Sequence, residues 1–194
     1  ISYLDFMIRK LLIGLVALLI AVILIGWLWF QSSAPILDGE LKLAGLRQEV
    51  KVTFDEFGVP HIQAQNAHDA YLALGFVHAQ DRLFQMEMLR RVAAGRLSEV
   101  LGAKLLPVDK LFRTLGIGPF AEANAKQFLG ADTSAYQQAA HAYLKGVNAF
   151  IDQGRKPLEF TLAGIPMTPF EDKDIFLAAG YMAFSFAEAI KVDP

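Results

Sequence analysis

Hydrophobic and polar positions divide the 194-residue chain into two unequal parts. From Leu11 to Leu37 there is no charged residue, and residues 11–30 are aliphatic or aromatic at almost every position. At 1.5 Å of helical rise per residue, that run reaches about 30 Å, the thickness of a bilayer's hydrocarbon core. It predicts a transmembrane anchor over residues 11–30. Arg9 and Lys10 just before it keep the short N-terminus, residues 1–10, cytoplasmic, and Trp27, Trp29 and Phe30 fall at the opposite interface. A secretory signal has the same basic start but a shorter apolar core, about 7–15 residues. Length favours a retained anchor, while Ser32-Ser33-Ala34, a small-residue cleavage site, keeps the signal-peptide reading open. Met7 serves as a native start, which would set Ile1–Phe6 outside the natural chain.

Residues 31–47 read as a polar exit and a weakly patterned approach segment, followed by a folded region over residues 48–194. Glu49–Phe54 alternates polar and apolar positions with the period of a half-buried strand. Asp55-Glu56-Phe57-Gly58 supplies turn residues, and Val59–Ala64 resumes the extended pattern, so the pair predicts a hairpin. Asn66 is a good N-cap for a helical stretch to Ala94, with Gly75 as a candidate break and Gly95 as a stop. Pro107 suits the first turn of a helix through Leu115. Asp132, Thr133 or Ser134 caps a longer helix ending at Gln153 before Gly154. Its predicted apolar stripe is Tyr136, Ala139, Ala140, Tyr143, Val147 and Phe150. A last helix, from Asp172 to about Ala187, is apolar nearly all round, which predicts burial. Beyond the hairpin this region is mostly α.

Composition changes little in this picture. The hydrophobic share is 54%, and the N-terminal run accounts for much of the excess over an ordinary globular chain. With no cysteine, neither a disulfide framework nor a thiolate nucleophile is available. A net charge of −2, with no basic cluster beyond Arg9-Lys10 and Arg90-Arg91, excludes a nucleic-acid partner.

Candidate chemistry on the chain itself is sparse. No serine has the Gly-x-Ser-x-Gly context of a nucleophile elbow. His61, His68, His78 and His141 show no metal-binding pair on one helix face. Gly116-Ile117-Gly118 lacks the third glycine and the preceding strand of a dinucleotide loop. Glu171, Asp172 and Asp174 gather at a helix start, where the dipole explains them. Spacing alone gives no active site.

Longer blocks are more informative. Val52–Ile62 (Val-Thr-Phe-Asp-Glu-Phe-Gly-Val-Pro-His-Ile) resembles the opening hairpin of the penicillin acylase family of N-terminal-nucleophile hydrolases. Ala79–Glu87, Arg90-Arg91 and Gly95–Gly102 resemble its signature helix and the turn after it, and Pro157–Phe160 with Leu162, Gly164 and Pro166 a later α-chain segment. The resemblance extends from about Glu49 to the C-terminus. It implies an α+β fold: a transmembrane helix, then the mostly helical α chain of a four-layer αββα sandwich completed by a β chain cut from the same precursor. It also implies a catalytic serine at the start of that β chain, with its own α-amino group as base and the oxyanion hole on the same chain. An α-amino pKa of about 7.7–8.0 suits that task near neutral pH. No catalytic residue is then expected on this chain.

In the family, a helix near the α-chain end supplies a methionine and, three and four residues on, two further positions lining the acyl pocket. Matched onto Gly180–Phe186, these are Met182, Ser185 and Phe186, with Phe184 adding to the apolar surroundings. Spacings of three and four share one helix face. Ser185 stands where the penicillin G type has an arginine, which weakens the case for β-lactams. No cofactor is required; a structural calcium ion is an option, with Asp193 as its carboxylate beside the direct match, Val192. Asp81, Arg82, Glu87, Arg90 and Arg91 read as a solvated or internally paired helix face.

The expected protein is a single-pass enzyme of the bacterial inner membrane with a periplasmic catalytic domain. It would touch lipid through residues 11–30 and hydrolyse small-molecule N-acyl substrates by acyl-enzyme chemistry, preferring long-chain N-acyl amino acids or N-acyl-homoserine lactones to penicillins. The rival is a non-catalytic anchored binding protein on the same scaffold, separated from the enzyme by whether a serine-initiated second chain co-purifies.

Overall fold

The computed structural model describes residues 3–190, in two compact units, residues 1–34 and 35–194. The first is one helix, α1 (Tyr3–Ser33). Within it Phe6–Gln31 is long and apolar enough to cross a membrane, and none of it is buried against protein; a signal sequence has the same properties. Lys10 extends its ammonium over the Phe6 ring one turn back, 4.3 Å from the centroid. The helix ends just before Ala34-Pro35, since the residue preceding a proline is driven out of the helical region.

The second unit begins with an antiparallel hairpin, β1 (Lys51–Phe54) and β2 (Pro60–Gln63), in the register Lys51↔Gln63, Val52↔Ile62, Thr53↔His61, Phe54↔Pro60. Its turn closes on Asp55, whose carboxylate accepts from the amides of Phe57 and Val59, both at 2.9 Å. No other sheet occurs among the described residues.

Helix α2 (Ala67–Ala93) starts at Asn66, whose side chain accepts from Asp69 N as an N-cap. Gly75 does not break it. The irregularity lies at Arg82 instead (φ −131°, ψ 15°). Gly75 serves the crossing with α6 (Ala135–Asp152): a Cβ there would lie 2.0 Å from Tyr143 O, and one on Gly146 would lie 1.9 Å from Leu72 O. Two hydrogen side chains let the backbones touch. At the far end Gly95 (φ +65°) closes α2, with Gly95 N donating to Val92 O and Arg96 N to Arg91 O, a Schellman pair.

The connection runs through α3 (Ser98–Leu101), α4 (Leu106–Leu115, with Pro107 in its first turn) and α5 (Ile117–Asn124), which continues as a π turn to Leu129. Helix α6 is capped by Ser134 in a capping box with Gln137. Its buried side is Ala142, Leu144, Gly146, Val147, Phe150 and Ile151, while Tyr136 is 58% exposed. Of the expected stripe, Val147 and Phe150 are buried and Tyr143 packs against the core, while Gly146, counted as neither apolar nor polar, makes the closest contact. Then come α7 (Leu158–Leu162) and α8 (Asp172–Ala189).

The main core joins Phe76, Val77, Ala79 and Leu83 of α2 to Leu144, Val147, Phe150 and Ile151 of α6, with Phe160, Ile165 and Phe170. Edge-to-face pairs Phe76–Phe150 and Phe84–Phe160, 5.7 and 5.5 Å between centroids, fix its packing. A second cluster, Ala93, Phe112, Ile117, Ala121 and Leu177, seats α8 on α4 and α5. The burial expected for α8 is not found: Asp174 and Leu177 are buried, but Met182, Phe186 and Ile190 are exposed. One side packs on this chain; the other is left largely exposed.

Candidate functional site: an apolar wall on the last helix

The start of α8 is held firmly. Glu171 N donates to Asp174 Oδ2 at 2.8 Å and Asp174 N to Glu171 O at 2.9 Å, closing the capping box. Arg90 of α2 reaches the same place. Its guanidinium donates to Asp174 Oδ2 (3.1 Å), Pro169 O (3.0 Å), Thr168 O (3.0 Å) and Thr168 Oγ1, and lies 3.9 Å from the centroid of Phe170. Glu87, 1% exposed, accepts from Arg90 Nε and Arg91 Nε at 2.7 and 2.6 Å. Arg91 continues to Glu99, which also takes both ends of the Arg96 fork at 2.9 Å. Burial pushes the Asp174 carboxyl up, against the opposing pull of Glu171 N and Arg90. The internal pairing expected for Glu87, Arg90 and Arg91 is present; Asp81 and Arg82 form a separate exposed pair at 2.8 Å.

From this pinned start α8 carries the four candidate wall residues. Met182 and Phe186, one turn apart, share an exposed face at 52% and 62% exposure, and half-buried Ser185 flanks them. Phe184 points elsewhere. It packs edge-to-face on Phe112, 5.2 Å between centroids, against the second cluster. The structure therefore groups Met182, Ser185 and Phe186 and separates Phe184 from them.

Met182 also lines a groove of about 490 Å³ between α2, α6 and α8, whose walls include Met86, Leu89, Tyr143, Phe170, Ile175 and Ala178. That is within the size range of small-molecule sites. At its margin His78 Nδ1 and Tyr143 Oη lie 2.7 Å apart. Desolvation lowers the His78 pKa and pushes that of Tyr143 up to about 12, so both are neutral near pH 7. The groove is mostly apolar, and its charged lining residues are Arg82, paired with Asp81, and the Arg90–Asp174 pair.

Two further carboxylates have bonding roles that the sequence reading did not give them. Asp69 is fully buried and accepts from Arg47 N, Gln48 N, Asn66 Nδ2 and His68 Nδ1 at 2.7–3.1 Å. Burial alone would raise its pKa, but the bonds from Arg47, Asn66, His68 and Gln48 outweigh it and hold the group far below the usual carboxylate range. Asp109 caps the turn at α3 in the same way, accepting from Leu97 N (2.7 Å), Ser98 N (3.0 Å) and Ser98 Oγ. Desolvation opposes, and the bonds from Ser98 and Leu97 still lower it. The signal for each was a carboxylate inside an apolar stretch of helix.

Among the described residues no nucleophile–base pair forms. His61 meets Asp55, His68 meets Asp69, His78 meets Tyr143, and His141 meets Asp132 and Leu129 O. No group of three or more His, Cys, Asp or Glu side chains among the described residues could hold a metal ion. Asp193 and Val192, the calcium candidates, lie outside the described residues. What the described residues build is an exposed apolar wall.

A model of the penicillin amidase family matches residues 49–194. The chain belongs to the penicillin amidase family. Over 142 residues it is 45% identical to the penicillin acylase 2 proenzyme of Pseudomonas sp. (strain SE83), covering 73% of this chain and 18% of that protein. An acyl-homoserine lactone acylase of Pseudomonas syringae pv. tomato is 36% identical over 152 residues (77% and 18%), and the penicillin G acylase of Escherichia coli 34% over 148 residues (73% and 17%). The chain thus spans under a fifth of the length of these family relatives. Among solved structures, a thermostable penicillin G acylase from Alcaligenes faecalis superposes with a TM-score of 0.62 at 29% identity, covering 74% of this chain and 76% of the matched one. Its mostly helical second unit has a penicillin acylase-like fold.

Proposed function

We propose that this chain is the α chain of a two-chain amidase of the penicillin amidase family, hydrolysing N-acyl amide bonds. The observation that carries this reading is the exposed apolar face of α8, Met182 and Phe186 beside Ser185, in a family member with no nucleophile–base pair among its described residues. Such a wall needs a second chain to cover it and to bring the chemistry. That partner is the β chain of the same precursor. Its terminal serine attacks the acyl carbonyl, its α-amino group takes the proton, and the amine leaves an acyl-enzyme that water then cleaves. The β chain also completes the αββα sandwich, to which residues 48–194 contribute the helical part and residues 31–47 the approach.

In this reading α1 is a single-pass anchor in the bacterial inner membrane, with the catalytic domain periplasmic. Tethering would hold the pocket near the bilayer and favour lipophilic substrates. The preferred substrates are long-chain N-acyl amino acids or N-acyl-homoserine lactones, supported by the apolar groove, by Ser185 and by the acyl-homoserine lactone acylase among the relatives. A penicillin or cephalosporin acylase is the second reading, favoured by the 45% identity to a protein named penicillin acylase 2.

The experiment is to express the whole precursor and sequence the N-terminus of every chain that co-purifies, then to compare hydrolysis of N-decanoyl and N-lauroyl amides with that of penicillin G. A serine-initiated second chain and faster cleavage of the fatty amides are expected. A fully active preparation with no companion chain removes the two-chain reading, and faster penicillin G cleavage removes the substrate preference.

A further inference from the structure

We infer that Arg90 is a positioning residue that fixes the closed end of the groove, and that Phe170 beneath it limits the length of acyl chain the groove accepts. This rests on the reading above, in which the groove beside Met182 holds the acyl group.

Arg90, Phe170 and Asp174 line the same groove as Met182. Asp174 and Met182 both belong to α8, eight residues apart, so the groove runs along roughly 12 Å of that helix at 1.5 Å per residue. The Met182 end is exposed and apolar. Toward the start of α8 the lining is a buried ion pair and a buried aromatic ring. A methylene chain gains by lying along Ala178 and Ile175, and gains nothing by pushing into Arg90 and Asp174, whose hydrogen bonds it cannot replace.

The ring is held by cation and backbone together. Arg90 stacks on Phe170 while bonding Thr168 O and Pro169 O on the preceding backbone, and Asn148 of α6 brackets Phe170 from the other side. Asn148 Nδ2 donates to Phe170 O at 2.9 Å and Asn148 Oδ1 accepts from Phe170 N at 2.8 Å. Phe170 therefore has little freedom to retreat from a longer ligand. Lysine could carry the charge but not the planar fork that reaches Thr168, Pro169 and Asp174 at once.

The test uses the complete two-chain enzyme and a series of N-acyl amides from butanoyl to tetradecanoyl. Phe170→Leu, which leaves the ion pairs of Arg90 in place, should move the optimum of kcat/KM to longer chains, through KM rather than kcat. Arg90→Lys should broaden the profile, raising relative kcat/KM for the longest chains about tenfold, which a merely structural role would not do. An unchanged profile for Phe170→Leu, or a uniform drop across all chain lengths, overturns the inference even if Arg90→Lys fails to fold. Met182→Ala separates the two levels: if it shifts the profile while Phe170→Leu does not, this inference fails alone. If neither shifts it, the groove does not hold the acyl chain and the underlying reading fails with it.

Discussion

The crossing of α2 and α6 can be tested by adding a single methyl group. Gly146→Ala would put a Cβ 1.9 Å from Leu72 O, 2.8 Å from Phe76 N and 2.9 Å from Leu72 C, all of them backbone atoms of α2. None can rotate aside as a side chain would. An ordinary carbon–oxygen contact begins near 3.4 Å, so the helices must part by about 1.5 Å at the centre of the main core. A gap of 0.5–1 Å already forfeits roughly a quarter to a half of the dispersion well for the atoms facing it. Overpacking of this kind costs about 1–3 kcal/mol where side chains can yield, and a clash with rigid backbone belongs at or above the top of that range. Against it stands the helix preference of alanine over glycine, about 1 kcal/mol. The expected net loss is at least about 2 kcal/mol.

Gly118→Ala is the control. Gly118 lies in α5 with nothing beyond its chain neighbours within 4 Å of an added Cβ, so the helix preference is set against only the restriction that Pro119 places on the residue before it. It should be neutral to within about 1 kcal/mol. Both are read as midpoint shifts in urea unfolding of the assembled protein, with the slope checked for constancy. The same added methyl must cost clearly more at Gly146 than at Gly118. If Gly146→Ala is as stable as the parent, the helices do not approach as described.

Three further outcomes follow from the same structure. Asp69→Asn leaves at least one of four buried donors without an acceptor and should cost about 2–4 kcal/mol. Because the Asp69 pKa is depressed on folding, its contribution is complete above the unfolded value of about 3.9 and fades as pH falls from there toward the folded pKa; the variant should lose that part of the acid-induced decline, and an unaltered slope below pH 4 counts against it. Ser185→Arg adds a cation at the pocket wall and should raise kcat/KM for penicillin G relative to an N-decanoyl amide about tenfold, the yield of about 1.4 kcal/mol from one charge-assisted bond. An unmoved ratio would separate Ser185 from substrate choice. Deleting residues 7–30 should transfer the protein from the membrane pellet to the soluble fraction, and continued sedimentation would argue against the anchor.

Local signals were legible wherever one residue dictates one backbone state. Asn66, Ser134, Pro107, Gly95 and Gly154 mark the ends of α2, α4 and α6 because an unsatisfied amide needs an acceptor and a left-handed residue needs no Cβ. Gly75 misled for the converse reason. A glycine inside a helical pattern looks like a weakness, and its use becomes apparent only when Tyr143 is seen lying against it. The expected stripe of α6 left out Gly146 for the same reason: it carries no hydrophobicity in a pattern, yet it marks the closest contact of the crossing. The bonding roles of Asp69 and Asp109 were silent because their partners are mostly backbone amides, which no side-chain pattern records.

The last helix shows how a pattern can be sound and its consequence still misplaced. An all-round apolar surface predicts burial, and α8 has such a surface, but this chain covers the sides bearing Leu177, Phe184 and Ile175 and leaves the rest open. The side bearing Met182, Phe186 and Ile190 is as apolar as the covered one. Contiguous exposed apolar surface of that kind marks an interface or a ligand site. Here both meanings converge on one helix. Its buried face and ion-paired start set its position, and its open face is available to whatever completes the pocket. The family resemblance identified which three side chains to look at; the structure adds that Phe184 is not one of that group and that Arg90 lines the groove beside Met182.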